Sequence, residues 1–438
     1  MKIEAYTNIL HGETYKEISV PPPCANPLVV LQGSREGVPS YFTLDEDTLS
    51  KHSLIIGGTG CGKTKLFFHF VDQLKQKLTQ NDVMIIFDSK GDFYSRFCSP
   101  NDAVIGNSKL YRSISEKWNL FREVLMDGYD KKDYRVNIRE ICHAFFQERI
   151  EKNSSNPFFP NAACELLGAV IAAIIEGCKP EERKVFFRNE KLMEILRQST
   201  REDLINELSN FDDLKYIISY IEKNNGQSQG VLSEMYSVVN ELLVGVFSDN
   251  GGFSIRDFVR EKKGRTLFVE YDLSVGSTFS PVYSLLFDLA LKEALGRNKS
   301  DGNVYLICDE FRLLPNLKHI DDAVNFGRSL KVKVIAGLQS ISQLIESYGE
   351  TRGKNIAAGF SSVYAFHAND TPTREFFVDL SGKNILIDEY QQNDGTYVAP
   401  QRDGYTVEDW DMKSLKIGEA FISLPFSYPF RFYFKEYK

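Results

Sequence analysis

"LIIGGTGCGKTKLFFHF", residues 54–70, runs from an apolar strand through a glycine-rich loop into an apolar helix. Gly57, Gly62, Lys63 and Thr64 satisfy the pattern G-x-x-x-x-G-K-[ST]. Glycines are required there because backbone N–H groups converge on phosphate oxygens only where no side chain intervenes. Gly57, Gly58, Thr59, Gly60, Cys61 and Gly62 therefore form the expected nucleotide cradle. Lys63 is placed for the β- and γ-phosphates and Thr64 offers a hydroxyl to Mg²⁺. The helix opening near Gly62 aims its positive dipole end at the ligand. The flanks agree: residues 53–56 read as a buried strand, while Leu66, Phe67 and Phe70 recur at helical spacing.

Such a loop needs an acidic partner for the metal, and two strand ends compete for that role, "VMIIFDSKGD" (83–92) and "VYLICDEF" (304–311). The second carries Asp309 followed by Glu310, so one carboxylate can serve Mg²⁺ while its neighbour polarises the attacking water. We assign Asp309 to the metal and Glu310 to catalysis. Asp88 and Asp92 flank Lys90 in a tight turn, read either as a second element near the nucleotide or as a solvated strand-to-helix turn.

The chain has 438 residues, enough for more than one core, so two or three domains are expected. Its apolar share of 42% and charged share of 26% are those of an ordinary globular protein and give no reason to expect disorder. The strongly apolar run "LLGAVIAAII" (166–175) is about half a bilayer span and ends in Glu176. The N-terminal "MKIEAYTNILHGE" lacks a basic segment followed by an apolar one, so neither a signal peptide nor direct membrane insertion is expected. A cytoplasmic location follows as an expectation. Seven cysteines without C-x-x-C pairs, two of them inside the nucleotide motifs, are expected to be reduced thiols. Six histidines lack ligand spacing, which argues against a structural zinc site. The net charge of −8 argues against a surface coated for non-specific DNA binding, yet a ring can thread DNA past a few local cations.

Along the chain, residues 1–50 hold a small N-terminal β lead-in, with "LVVLQGSREGVPSYFTL" as two candidate strands around glycine-containing turns. Residues 51–130 show α/β alternation. Residues 131–254 change to helical patterns, among them "VNIREICHAFFQERIEK" and "QGVLSEMYSVVNELLVGVF", and read as an all-α insertion. "RTLFVEYDL", "VYLICDEF", "KVKVIAGLQS" and "SVYAFHAND" restore the strand rhythm over 255–385. Residues 386–438 read as a polar, acidic loop followed by C-terminal strands.

The P-loop, "DSKGD", "WNLF" (118–121), the helical insertion, "DEFRLLPNL" and "NFGRSLKVKVIAGLQSISQLIESYG" together resemble the coupling-protein ATPases of conjugative type IV secretion. These belong to the FtsK/HerA group of RecA-like hexameric DNA pumps. The resemblance covers about residues 30–385 and implies an α/β fold, a RecA-like P-loop NTPase domain with an inserted all-α domain. Lys63 and Thr64 look like the family's Walker A pair, and Asp309 and Glu310 like its Walker B pair. Gln339 matches the glutamine that senses the γ-phosphate; an amide ending an apolar strand beside the P-loop strand can bond a terminal phosphate or its attacking water. Arg328 in "FGRS" resembles a motif arginine that acts across a subunit boundary; Arg352 in "YGETRGKN" competes for that role.

The resemblance implies ATP and Mg²⁺ as cofactors, single- or double-stranded DNA as a partner, and a homo-oligomer, the family's hexamer. The expected activity is ATP-driven DNA translocation for conjugative transfer, with a relaxase or secretion channel as further partner. Two alternatives stand beside it: a HerA-like pump working with a nuclease partner in phage defence, and an ATP-switched adaptor that recruits its substrate without moving it. Phe145, Phe146, Arg149 and Lys152 suit strand contact, although at this spacing packing and a solvated face are the commoner reading. Two departures from the family are visible. Coupling proteins usually begin with a pair of membrane-spanning helices, and this sequence starts at the soluble part, so the expectation is that another chain supplies an anchor or that the pump serves a different system. Ser89 stands where the family commonly has proline.

Overall fold

The computed structural model describes residues 5–274, 276–296, 302–391 and 396–438, so part of the acidic stretch, 392–395, lies outside the described residues. The chain divides into two units, one of Met1–Ile86, Gly302–Asn316 and Ile320–Lys438, the other of Phe87–Asp301 and Leu317–His319.

In the first unit Ser53–Ile56 lies between Val332–Leu338 and Ser362–Phe366, parallel to both, and Val304–Cys308 runs parallel on the far side of Val332–Leu338. All residues of these four strands are buried. A parallel sheet covered on both faces wants continuous apolar runs, and their sequences are such runs. Next to Ser362–Phe366 the sheet turns antiparallel through Glu419–Ser423, Phe430–Phe434, Val29–Arg35 and Val38–Leu44. The C-terminal strand is therefore seated between elements from both ends of the chain. Phe42 meets Phe430 and Phe432 edge-on there, at ring-centroid distances of 5.3 and 5.1 Å. Helix Lys63–Gln76 buries Leu66, Phe67, Phe68, Phe70, Val71 and Leu74.

The stretch read as a polar loop after residue 385 is instead largely strand. Lys383–Gln391 pairs antiparallel with Ala5–His11 on one side and with Gln401–Tyr405 on the other, and Tyr397–Val398 also pairs with it. Its charges are absorbed across the strands: Arg402 Nε donates to Asp388 at 2.8 Å, and Thr7 Oγ1 donates to the same carboxylate at 2.8 Å. Among the described residues of this strand only Asn384 and Leu386 are buried, too few to give a clear apolar alternation in sequence.

The second unit is mainly helical. Phe158–Gly177 packs against Lys131–Lys152 and Gly226–Leu242. This helix is 20 residues long, about twice the apolar run that marks it, and by length and composition it could cross a membrane. Its apolar 18-residue window is 61% buried inside the protein. Phe145 and Phe146 are core residues, Arg149 pairs with Glu241 at 2.7 Å, and Lys152 pairs with Glu148, so packing and ion pairs account for all four candidates for strand contact.

"WNLF" is a joint of this unit. Asn119 caps helix Leu120–Val124, and its Nδ2 donates to the carbonyls of Phe187 and Gly251 at 3.0 and 2.8 Å. Trp118 Nε1 donates to Glu123 at 2.9 Å. Glu123 has no exposed surface and also accepts from Ser254 Oγ, Ile255 N and Arg256 N. Burial raises its pKa to about 7 against the opposing pull of those donors.

Candidate nucleotide site

The P-loop follows Ser53–Ile56 directly. Gly57 N donates to Leu338 O at 3.1 Å and Gly58 N to His367 O at 2.8 Å, which fixes the loop's entry between the two neighbouring strands. Gly57, Gly60 and Gly62 have φ of 151°, 75° and 113°, a region that disfavours any residue with a β-carbon. At Gly57 a β-carbon would also lie 2.7 Å from Phe366 Cβ. Gly62 is the residue before helix Lys63–Gln76, so the N–H groups of the first helical turn open onto the loop. Lys63 Nζ donates to the carbonyls of Gly57 and Gly58, at 2.5 and 2.9 Å, which keeps the ammonium inside the loop. Thr64 is half-buried at the same helix start. The Cys61 thiol is pushed up by burial, with Lys63 pulling the other way, so it is no ready nucleophile. All seven cysteines are free.

Asp309 and Glu310 leave the C-terminal end of Val304–Cys308, whose Cys308 lies opposite Ala336 of the central strand. Asp309 is 7% exposed, and the chain passes so close to Gly337 that a β-carbon there would sit 2.3 Å from the Asp309 carbonyl oxygen. Gln339 follows the end of that central strand. Its Nε2 donates to Glu310 Oε2 at 2.9 Å, and its Oε1 accepts from Thr59 Oγ1 at 3.3 Å. The structure thus brings three sequence motifs into one hydrogen-bonded chain: P-loop threonine, strand-end glutamine, acidic-doublet glutamate. Two supports were not picked out from sequence. Arg312 Nε donates to the other Glu310 oxygen at 3.0 Å, and Gln343 Oε1 accepts from Gln339 N at 3.2 Å. Their signals are a cation two residues past Glu310 and a second glutamine one helical turn past Gln339.

Arg328 is placed elsewhere. It lies in the turn Gly327–Leu330 before Val332–Leu338, at the opposite end of that strand from Gln339. Seven residues at about 3.3 Å each put roughly 23 Å between the two ends. Arg328 Nη2 pairs with Asp47 at 2.8 Å, its side chain 59% exposed, so it does not reach the nucleotide loop of its own chain. Arg352 is fixed by Asp321 through Nε at 2.8 Å and lies over the Tyr348 ring.

Asp88 belongs to the second unit, where its carboxylate accepts from Tyr94 N at 2.8 Å and Phe93 N at 3.1 Å. Burial raises its pKa and these N–H groups oppose the rise. In this setting it stabilises the "DSKGD" turn and the start of Asp92–Phe97. Asp92 and Lys90 are exposed.

The model of the type IV secretion-system coupling protein DNA-binding domain matches residues 39–413. The chain belongs to that family. It is 22% identical over 394 residues to the coupling protein TraD of Escherichia coli (strain K12), covering 85% of this chain and 51% of TraD, so it spans about half the length of that relative. Among solved structures, the unbound monoclinic form of the bacterial conjugative coupling protein TrwBdeltaN70 superposes with a TM-score of 0.72 at 20% identity, over 93% of this chain and 89% of that one. The plasmid coupling protein TrwB in complex with ADP and Mg²⁺ gives 0.70 at 20% identity over 93% and 89%. VirB4 of Thermoanaerobacter pseudethanolicus gives 0.56 at 12% identity over 96% and 98%. These likenesses fix the fold as that of the coupling proteins, a RecA-like P-loop α/β domain with a helical domain.

Proposed function

We propose that this protein hydrolyses ATP and uses the energy to move DNA through a ring of identical subunits, as the motor of a conjugative transfer system on the cytoplasmic side of the membrane. The observation that carries the reading is the bonded chain Thr59–Gln339–Glu310, because it joins the loop that would hold the γ-phosphate to the carboxylate that would activate water. Backbone N–H groups of the loop and Lys63 hold the phosphates. Thr64 and Asp309 would hold Mg²⁺, which when bound would neutralise phosphate charge. The donor set suits such an ion: a hydroxyl at the helix start and a carboxylate at a strand end, both oxygen ligands.

Glu310 accepts the proton of the attacking water, oriented by Arg312 on one oxygen and Gln339 on the other. Gln339 reports the state of the γ-phosphate, since a ligand at Thr59 competes for the bond that now ties the two. Arg328, turned away from its own P-loop, serves the next subunit's nucleotide, where a guanidinium fork neutralises developing charge. Asp88 contributes by holding the turn after its strand. DNA is the substrate, favoured by membership of a family defined on a DNA-binding domain.

Phosphate release by the purified protein with Mg²⁺ and ATP, measured with and without duplex and single-stranded DNA, tests the reading. A severalfold rise with DNA is expected. Turnover indifferent to every form of DNA would leave an adaptor rather than a pump.

A further inference from the structure

Phe426 is 97% exposed and adopts a left-handed backbone, φ 61°. It stands in the turn joining Glu419–Ser423 to Phe430–Phe434. A left-handed backbone is unfavourable for a bulky aromatic residue, and so is full exposure of its ring. Lys51 Nζ lies 4.6 Å from its ring centroid, a cation–π contact that covers little of the ring. Strain and exposure combined at one aromatic residue point to a surface that another body covers.

The neighbours of Phe426 show which end of the sheet it marks. A cavity of about 350 Å³ beside it is lined by Lys51, Val324, Arg328, Ser361 and Pro425 among others. Lys51 and Arg328 share one anion, Asp47, at 2.6 and 2.8 Å. At the other end of the same strand, Ile417 is 74% exposed. It precedes Gly418, whose N–H donates to Cys61 O of the P-loop at 2.9 Å. Two exposed apolar side chains thus flank one five-residue strand, about 17 Å apart or more, one beside Arg328 and one beside the nucleotide loop. Arg328 and Lys331 precede Val332–Leu338, whereas Asp309 and Glu310 follow the parallel strand Val304–Cys308.

A head-to-tail contact between copies joins two different patches, and repeats of it close into a ring when the rotation allows. We infer that Phe426 of one copy docks against Ile417 beside the P-loop of the next, in a contact that carries Arg328 to the neighbour's nucleotide. This rests on the proposed trans role of Arg328. It adds an aromatic anchor, the kind of residue that concentrates interface energy near a buried arginine.

The test uses full-length chains with Mg²⁺, DNA and a slowly hydrolysed ATP analogue. Phe426→Cys and Ile417→Cys proteins are mixed and treated with a short bismaleimide, the wild type serving as background because Cys98 is exposed. A two-chain adduct is expected in the mixture and, above background, in neither protein alone. In parallel, Arg328→Ala is mixed with Glu310→Gln and ATP turnover is read. Restored turnover without an adduct would overturn the Phe426–Ile417 contact while the ring stands. Absence of both would bring down the trans reading beneath it. Phe426→Ala should raise the protein concentration giving half-maximal ATPase on the order of tenfold or more, with unchanged melting. An unchanged concentration dependence would also overturn the proposal.

Discussion

Gln339 and Glu310, 29 residues apart in the chain, meet through a 2.9 Å hydrogen bond from Nε2 to Oε2. Their strands pair in parallel with Cys308 opposite Ala336, so both side chains emerge just past the C-terminal ends of the sheet. Open α/β sheets place their ligands at that edge. Because the same glutamine also accepts from Thr59, a change at Thr59 can be felt at the Glu310 carboxylate.

Replacement of Gln339 by Ala should therefore separate binding from turnover. We expect ATP affinity near that of the wild type and a kcat lower by about 10²-fold, the scale of a lost group in proton transfer and positioning. Steady-state kinetics beside nucleotide titration checks this. Equal kcat values would remove Gln339 from the chemistry.

Lys63→Ala acts one step earlier. The ammonium that now bridges the Gly57 and Gly58 carbonyls is the cation available to the phosphates. Nucleotide affinity should fall by at least about tenfold, measured by titration of a fluorescent ATP analogue. Full affinity in this variant would exclude the loop from binding.

Gly337→Ala probes the sheet beneath the site. The added β-carbon would meet the Asp309 carbonyl oxygen at 2.3 Å, backbone against side chain, with no flexible group to yield. We expect a loss of about 1–3 kcal/mol in stability, or displacement of the acidic doublet with loss of turnover. Calorimetry and an activity assay together check it. A variant with normal melting and normal turnover would contradict this packing.

His319 gives a pH signature. Burial disfavours its charged ring, but Asp288, with Nδ1 at 3.0 Å from Oδ2, and Glu140 outweigh that and hold its pKa above the ordinary value. Lys292, bonded to Glu140, pulls the other way. A folded pKa raised above the unfolded value means stabilisation fully present below about pH 6.5 and lost as pH rises through the folded value. The melting difference between wild type and His319→Ala should be larger at about pH 6 than at about pH 9. An equal difference at both would show that the ring contributes by packing alone.

What could be read from sequence follows from physics. The strands Ser53–Ile56, Val304–Cys308, Val332–Leu338 and Ser362–Phe366 are buried on both faces, so each leaves an unbroken apolar run. The P-loop was legible because its glycines have no substitute at positive φ. Lys383–Gln391 was not, since its charges are satisfied across the sheet by Arg402 and Thr7, partners that no local window contains. The bonds of Gln339 also depend on strand register, which a single sequence does not carry. Glu123 of "FREV" is fully buried and joins Trp118 to the start of helix Ile255–Glu261, a partner that lies outside any local window.

The most direct measurement on the central claim is single-turnover ATP hydrolysis by Glu310→Gln with Mg²⁺ and DNA, run beside nucleotide binding on the same sample. The substitution keeps the shape that meets Gln339 and Arg312 but cannot take a proton from water. We expect binding close to that of the wild type and phosphate release slower by about 10²–10⁴-fold. Phosphate release at the wild-type rate would contradict the assignment of Glu310 and, with it, the catalytic reading of the chain Thr59–Gln339–Glu310.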